Sequence, residues 1–346
     1  MKKLTSILLV ALMLVGIVMS AASCSAPSKP LPVVCGESGM NTDCGIATYG
    51  IDYYALGVAA GNMAADILID GKAASTIPVG GEADPALIVN QAVADEIGFT
   101  IPQSVLDKAG SKSDTRVTRN TAAIVSSGAD YTVGILQLTQ HDALDQSNEG
   151  FKDQLSVRVA AANKTISFDD QNASGDESNN VTIAESFVAK NVDLIYTIAT
   201  SSSQAAVTAA SETDIPVIFN AVTDPVGAGL VESLTAPGKN VTGISDINPV
   251  EKQLDLIAEL LGKDDVKIGF LYTAAETNSV YQVRTLGIPH CNSKGYTYVE
   301  KGISDINDLE AAITALKNAG VDAIYIPTDN VLANGCATVH TINTGK

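Results

Sequence analysis

The sequence predicts a two-lobed α/β protein, each lobe a parallel sheet flanked by helices, with a cleft between the lobes. Three observations point to it. Two apolar runs of the kind buried inside parallel sheets, Tyr131-Thr-Val-Gly-Ile-Leu-Gln-Leu138 and Val266-Lys-Ile-Gly-Phe-Leu-Tyr272, stand far apart in one chain. Each leads through polar residues into a helix-like stretch and is followed by further strand–helix alternation. At 346 residues the chain is long enough for two domains and a sizeable core.

From Tyr131 the alternation is regular. Strands are expected at 131–138, 165–171, 192–199, 215–221 and 240–244, with helices near 142–156, 177–190, 203–211 and 226–234. A helix from Pro249 to about Leu261 precedes a second set of strands at 266–272, 296–300 and 321–326, whose helices fall near 278–290, 305–319 and 330–343. No strand follows that last helix; the missing one stands at the front, as Leu31-Pro-Val-Val-Cys35, followed by Ile46 to Ile51, the apolar helix Asp52 to Ile69 and a small unit at 77–108. Residues 110–129, rich in Ser, Thr, Ala and Gly, read as a linker.

The first 23 residues read as a secretion signal: Lys2 and Lys3, an apolar run from Ile7 to Met19, then Ala21-Ala22-Ser23. The run is shorter than the about 20 residues of a membrane-spanning helix. A Cys after small residues resembles a bacterial lipoprotein cleavage site, although Ala21 stands where Leu is usual. Cys24 is the expected lipid attachment point, 24–30 a tether, and the protein is expected outside the cytoplasm, anchored to the membrane. The formal net charge is −18, more negative still without the leader's two lysines. Such a polyanion lacks the basic face that phosphates require, so no nucleic-acid partner is expected. Acidity serves solubility and does not mark the ligand as a cation.

Beyond Cys24 come Cys35, Cys44, Cys291 and Cys336, whose spacing fits no zinc ribbon or finger. Cys35 and Cys44 could bridge; small buried thiols are the favoured alternative, since a domain this large needs no staple. There is no Gly-x-Ser-x-Gly elbow, His-Glu-x-x-His motif or P-loop, and the three histidines are scattered. No catalytic residue, metal site or cofactor is therefore expected.

A family likeness rests on Gly134-Ile-Leu-Gln-Leu-Thr-Gln-His141, Thr223-Asp-Pro-Val-Gly-Ala-Gly-Leu230, Asn240-Val-Thr-Gly243, Pro249-Val-Glu-Lys-Gln-Leu254, Ile326-Pro-Thr-Asp-Asn330 and Ala47-Thr-Tyr-Gly-Ile-Asp-Tyr-Tyr54. Together these resemble the substrate-binding proteins of ABC transporters, in the branch linked to tryptophan, tyrosine and other aromatic or apolar amino acids. The likeness covers about 31–108 and 131–346. It implies two Rossmann-like lobes with parallel sheets and a hinge, the type I periplasmic-binding-protein fold. In the family the segment like 31–108 follows the segment like 131–346, so this chain reads as circularly permuted, and Arg284 to His290 depart from the family's helix. The implied first lobe is 48–72 with 130–243, the second 31–47 with 73–108 and 244–346, and the linker 109–129. About 20 flexible residues span roughly 25 Å, enough to rejoin two ends of such a protein.

Ligand contacts are expected at the carboxyl ends of the strands. In the first lobe these are Gln137 and His141, Thr200, Ser201 and Ser202, Asn220, Thr223 and Asp224. In the second they are Glu37 and Ser38, Asp246, Asn278, Thr328 and Asp329. Hydroxyls and free N–H groups at a helix start suit an amino-acid carboxylate, with N-capping as the plain alternative for Thr200–Ser202. Thr223 and Asp224 equally suit a cap before Pro225. Asp246 and Asp329 are candidates for an ammonium, against helix capping. Tyr49, Tyr53 and Tyr54 are candidates for a cleft wall, against core packing. The resemblance implies capture of an aromatic or branched apolar amino acid by hinge closure, delivery to an ABC permease, and a monomer. A chemosensor without transport and an α/β hydrolase are the rivals; the hydrolase lacks a nucleophile–base pair.

Overall fold

The apolar runs do become buried parallel strands. The structure is a computed structural model that describes residues 29–81, 85–110 and 116–346. The secretion signal and Cys24 lie outside the described residues. One sheet has the strand order β3 (Gly80–Gly81), β9 (Val241–Ser245), β8 (Val217–Val222), β7 (Leu194–Ile198), β5 (Tyr131–Gln137), β6 (Ile166–Asn172), all parallel. The other runs β11 (Thr297–Ile303), β10 (Lys267–Thr273), β12 (Ala323–Ile326), β1 (Val33–Cys35), β2 (Ala47–Gly50), β4 (Ala86–Val89). This second sheet is mixed rather than wholly parallel: β4 runs antiparallel to β2, because the chain has crossed to the other lobe and returns along the sheet edge. The result is a bilobed α/β fold of type I periplasmic-binding-protein architecture. Crossings between the lobes fall between Gly50 and Tyr53, between Gly81 and Ala86, and between Ser245 and Val250. Thus β2 sits in the second lobe's sheet and β3 in the first's.

Helices cover both sheets. On the first lobe are α2 (Tyr53–Leu68), α5 (Asp142–Ala161), α6 (Glu177–Lys190) and α7 (Thr200–Ala210); on the second, α1 (Ser38–Asp43), α8 (Val250–Leu261), α9 (Thr277–Tyr281), α10 (Ile288–Lys294), α11 (Leu309–Asn318) and α12 (Asn330–Thr344). The short α3 (Gln91–Glu96) and α4 (Gln103–Leu106) follow β4. Although α2 comes from the front of the chain, it packs on α5 through glycines. A Cβ at Gly57 would stand 2.2 Å from the Ser147 carbonyl oxygen, and one at Gly150 would stand 2.2 Å from that of Tyr54. The same core holds Leu56, Ala60, Val133, Ile135, Phe151 and Tyr196, with the last two rings stacked at 3.7 Å.

In the second lobe β12 and β1 pair in parallel, Val33 opposite Ile324 and Cys35 opposite Ile326. The end of α12 is pinned to the start of β1: Leu31 N donates to Asn343 Oδ1 (3.1 Å), and Asn343 Nδ2 donates to Leu31 O (2.7 Å). The helix closes on Gly345 in the left-handed region (φ 71°), which glycine adopts without steric cost.

Four expectations need correction. Residues 226–234 form turns, not a helix: Gly227 and Gly229 weaken one, and Asp224 Oδ1 caps Gly227 N instead (2.9 Å). The helix after β7 starts at Thr200, three residues early. The helix near 278–290 widens into a π segment at Gln282–Gly287, just before Pro289, which has no N–H to give the ladder. Among the cysteines, Cys44 pairs with Cys336, not Cys35, because the end of α1 faces α12; Cys35 and Cys291 are buried free thiols. The described part of the linker, 116–129, docks on the first lobe, where Val117 N donates to the Tyr54 hydroxyl (2.8 Å) and Ile124 bridges to Ile166.

Candidate functional site

The carboxyl ends of both sheets face each other across the cleft. One cavity there, of about 370 Å³, is lined by Thr200, Gln204 and Asp224 of the first lobe and by Thr277, Asn278 and Tyr281 of the second, among others. A second, of about 350 Å³, is polar and lies between Glu37, Asp43, His141, Asp142 and Asn334. The lobes touch beside it: His141 Nε2 meets Asn330 Oδ1 at 3.2 Å, and Asn334 Nδ2 donates to Thr139 Oγ1 at 3.3 Å.

At the first cavity α7 begins without a side-chain cap; its N-cap residue is Ala199, held at φ 88°. A non-glycine residue in that region is strained, and a neighbour at the end of β8, Ala221, is also left-handed (φ 53°). Surrounding bonds hold both in place: Ala199 N donates to Asn220 O (3.0 Å) and Ala221 N to Asn220 Oδ1 (2.7 Å). The consequence is a helix start whose first N–H groups are left to the cleft, with Thr200 beside them.

The other first-lobe candidates are distributed differently. Ser201 lies on the outer surface with Glu177 and Val181. Ser202 is buried and donates to Asn180 Oδ1 (2.8 Å). Asn220 donates to the Tyr196 hydroxyl (2.8 Å), inside the core. Gln137 is buried and committed to Thr139 O and Asp145 Oδ1 while accepting from Asn148. Asp224 lines the cavity and is half-buried.

Just past β9, the buried Asp246 accepts from the Tyr53 hydroxyl (2.9 Å) and from Thr223 Oγ1 (3.1 Å). Burial raises its pKa above the ordinary carboxylate value, against those hydrogen bonds. Burial, and next the charge of Asp246, push the Tyr53 hydroxyl well up. Tyr53 is packed in the first lobe's core, Tyr54 lines the hollow it shares with Ser38 and reaches Asp153 (3.0 Å), and Tyr49 packs on the second lobe's core.

In the second lobe, Asp329 caps α12 and is spent: it accepts from Leu332 N (2.9 Å), Thr273 Oγ1 (2.9 Å) and Thr273 N (2.6 Å). Glu37 likewise caps α1, accepting from Gly39 N and Met40 N at 2.6 Å each, and burial raises its pKa against the pull of His141. Ser38 lines a different hollow, beside Tyr54 and Leu87. Thr328 accepts from Asn248 and donates its N–H to Gln282 Oε1 (3.2 Å). Asn278 lines the first cavity while its amide donates to Thr328 O (2.9 Å). Sequence reasoning missed Gln204, Tyr281, Glu276 and Gln282. An aromatic and three amide or acid groups in the segments after β10 and β7 were the signal available.

Comparison with known proteins bears on this geometry. Residues 11–113 and 132–346 match the family described as ABC transporter substrate binding protein. A tyrosine-binding protein of Clostridioides difficile is 42% identical over 207 residues, 60% of this chain; the match spans 59% of that relative's length. A solved ABC-domain structure from Streptococcus pneumonia in complex with L-Trp is 34% identical, with a TM-score of 0.54, covering 63% of this chain and 72% of that one. A conserved domain protein from Vibrio cholerae is 35% identical, with a TM-score of 0.55, covering 62% and 71%. The family is one of binding proteins, not of catalytic domains. With both matched segments folded into two lobes around one cleft, this chain belongs to the ABC transporter substrate-binding protein family.

Proposed function

We propose that the chain is an extracytoplasmic binding protein that captures one aromatic or apolar amino acid by closure of its lobes and hands it to an ABC permease. The observation that carries this reading is the first cavity, where an uncapped helix start faces a carboxylate and a tyrosine. The N–H groups at Thr200 suit the ligand's carboxylate. Asp224, half-buried and engaged through one oxygen by Gly227 N, suits its ammonium better than the buried Asp246 or Asp329, both of whose oxygens accept protein donors. Tyr281, on the opposite lobe, suits an aromatic or apolar side chain. The tyrosine and L-Trp named for the two relatives support the ligand class. We further infer a lipid anchor at Cys24, a monomer, and family segments in permuted order, with α12 to β1 as the former connection.

Thermal unfolding of the ligand-stripped protein against the twenty amino acids tests it. A specific ligand at about 100 times its Kd adds about 2.7 kcal/mol and raises Tm by several degrees. A shift by tyrosine, tryptophan or one apolar amino acid is expected. A cooperative melt that none of them moves overturns the reading.

A further inference from the structure

Three sulfurs meet under the second lobe's cleft wall. Cys35 closes β1, Cys44 caps the end of α1, and Cys336 sits in the middle of α12; all three lie within 4.8 Å of one another and are buried. Cys44 and Cys336 are joined, and the free Cys35 Sγ stands 3.9 Å from Cys44 Sγ. Apolar side chains surround them: Val33, Met40, Leu332 and Val339 belong to the same core. The two possible partners of Cys44 differ greatly in sequence distance. Cys35 is 9 residues away and Cys336 is 292. Loop-closure probability falls with about the 3/2 power of loop length, so an unfolded chain favours the local pair by roughly 200-fold.

We propose that Cys35, Cys44 and Cys336 form a thiol–disulfide exchange site, in which a local Cys35–Cys44 bridge forms first and is converted into the Cys44–Cys336 clasp as α12 docks. The exchange is redox-neutral. The Cys336 thiolate attacks Cys44 Sγ, the Cys44–Cys336 bond forms as the Cys35–Cys44 bond breaks, and Cys35 leaves as a thiolate that takes up the proton Cys336 gave away. The one oxidation needed, formation of the first bridge, is supplied by a disulfide oxidant such as oxidised glutathione. Once the core closes, burial pushes the Cys35 thiol well above its ordinary pKa, which keeps it protonated and slows the reverse attack. The clasp also reaches the cleft. The helix it holds presents Asn330 and Asn334 to His141 and Thr139, so the position of the bridge decides whether that wall is covalently fixed.

The test is oxidative refolding of the reduced chain carrying Cys24→Ser, which removes a thiol close enough in sequence to compete for Cys35, in a glutathione buffer, trapped at intervals with acid and N-ethylmaleimide and mapped by mass spectrometry of non-reduced peptides. Cys35–Cys44 should dominate the earliest single-disulfide species by at least about tenfold and give way to Cys44–Cys336. Cys336→Ser should stop at Cys35–Cys44. Cys35→Ser, which keeps the clasp, should reach Cys44–Cys336 without the local species and with a slower first oxidation. The proposal is overturned if the earliest bridge is already Cys44–Cys336, if Cys336→Ser leaves Cys35 and Cys44 as free thiols, or if Cys35→Ser oxidises at the rate of the Cys24→Ser parent. None of these readouts involves the ligand, so they stand or fall apart from the amino-acid assignment.

Discussion

Replacing Glu276 with Gln should change how stability depends on pH, in a direction and by an amount the structure sets. Glu276 ties the loop after β10 to the first turn of α12: it accepts from Asn330 N (3.0 Å), Asn330 Nδ2 (2.9 Å), Val331 N (3.3 Å) and Asn278 Nδ2 (3.2 Å). Burial, and then the charge of Asp329, raise its pKa from 4.5 to about 7, against the pull of its donors. Between those values the folded protein holds a proton that the unfolded chain has lost, so stability falls as pH rises. The contribution is fully present below the unfolded pKa and is gone above the folded one. At about 1.4 kcal/mol per unit the loss is about 3 kcal/mol. Gln keeps an acceptor for Asn330 N and cannot ionise. Urea unfolding between about pH 5 and about pH 8 should therefore show E276Q flatter than wild type by about that amount, near wild type at the acid end and more stable at the alkaline end. Since Asp329 is among the causes, the two carboxyls titrate as a pair, and the variant should also ease the ionisation of Asp329. A variant with the wild-type slope, or one weakened equally at every pH, would refute this account of the α12 anchor.

Gly150→Ala should lower stability by about 3 kcal/mol and Tm by roughly 6–12 °C in calorimetry, because its Cβ would meet the Tyr54 carbonyl of α2; an unchanged melt would mean that α2 does not lie on α5. Asp224→Asn should weaken tyrosine or tryptophan binding about 10- to 100-fold in calorimetric titration while leaving Tm of the free protein unmoved, as expected when a half-buried charge-assisted contact is lost. An unaltered Kd would exclude Asp224 as the ammonium's partner. His141→Ala should speed ligand release about 2- to 10-fold in stopped-flow, since the Asn330 contact holds the lobes together from outside the first cavity. Equal release rates would show that this contact has no part in closure.

What could be read from the sequence was whatever depends on local pattern. The runs at Tyr131 and Val266 are apolar on both faces and could only be interior strands, and β7 is buried along its whole length. Strand ends followed because strand order and helix alternation fix where loops emerge, and Thr200, Asp224 and Asn278 duly line one cavity. What depends on partners could not be read. Asp329 and Glu37 look like cleft acids in sequence; only the fold shows that N–H groups of α12 and α1 already occupy them. The same holds for Ser201, which one helical step of 100° turns outward while Thr200 faces in. Cys336 could not be assigned to Cys44 from spacing, since 292 residues separate them and only the packing of α12 on α1 brings them together.

That packing bears on the permuted segment order proposed above. A parallel sheet is specified by which strands pair, and β1 finds β12 through a three-residue register backed by core residues such as Val33, Ile324, Ile326 and Leu332. None of those contacts requires a peptide bond between α12 and β1. What a bond would have supplied is high local concentration, and two features stand in its place. Asn343, almost fully buried, pins the Leu31 backbone from both sides, and the Cys44–Cys336 bridge ties the helix covalently to the unit that follows β1. In the chain-entropy treatment a bridge across that many residues restricts the unfolded state by about 6 kcal/mol, an upper figure that exceeds any single hydrogen bond at the junction. Reducing the bridge should therefore weaken the second lobe first. Hydrogen exchange under reducing conditions should show β1, α1 and α12 opening together while β5 and β7 stay protected. Simultaneous loss of protection in both lobes would mean instead that the clasp stabilises the molecule as one cooperative unit.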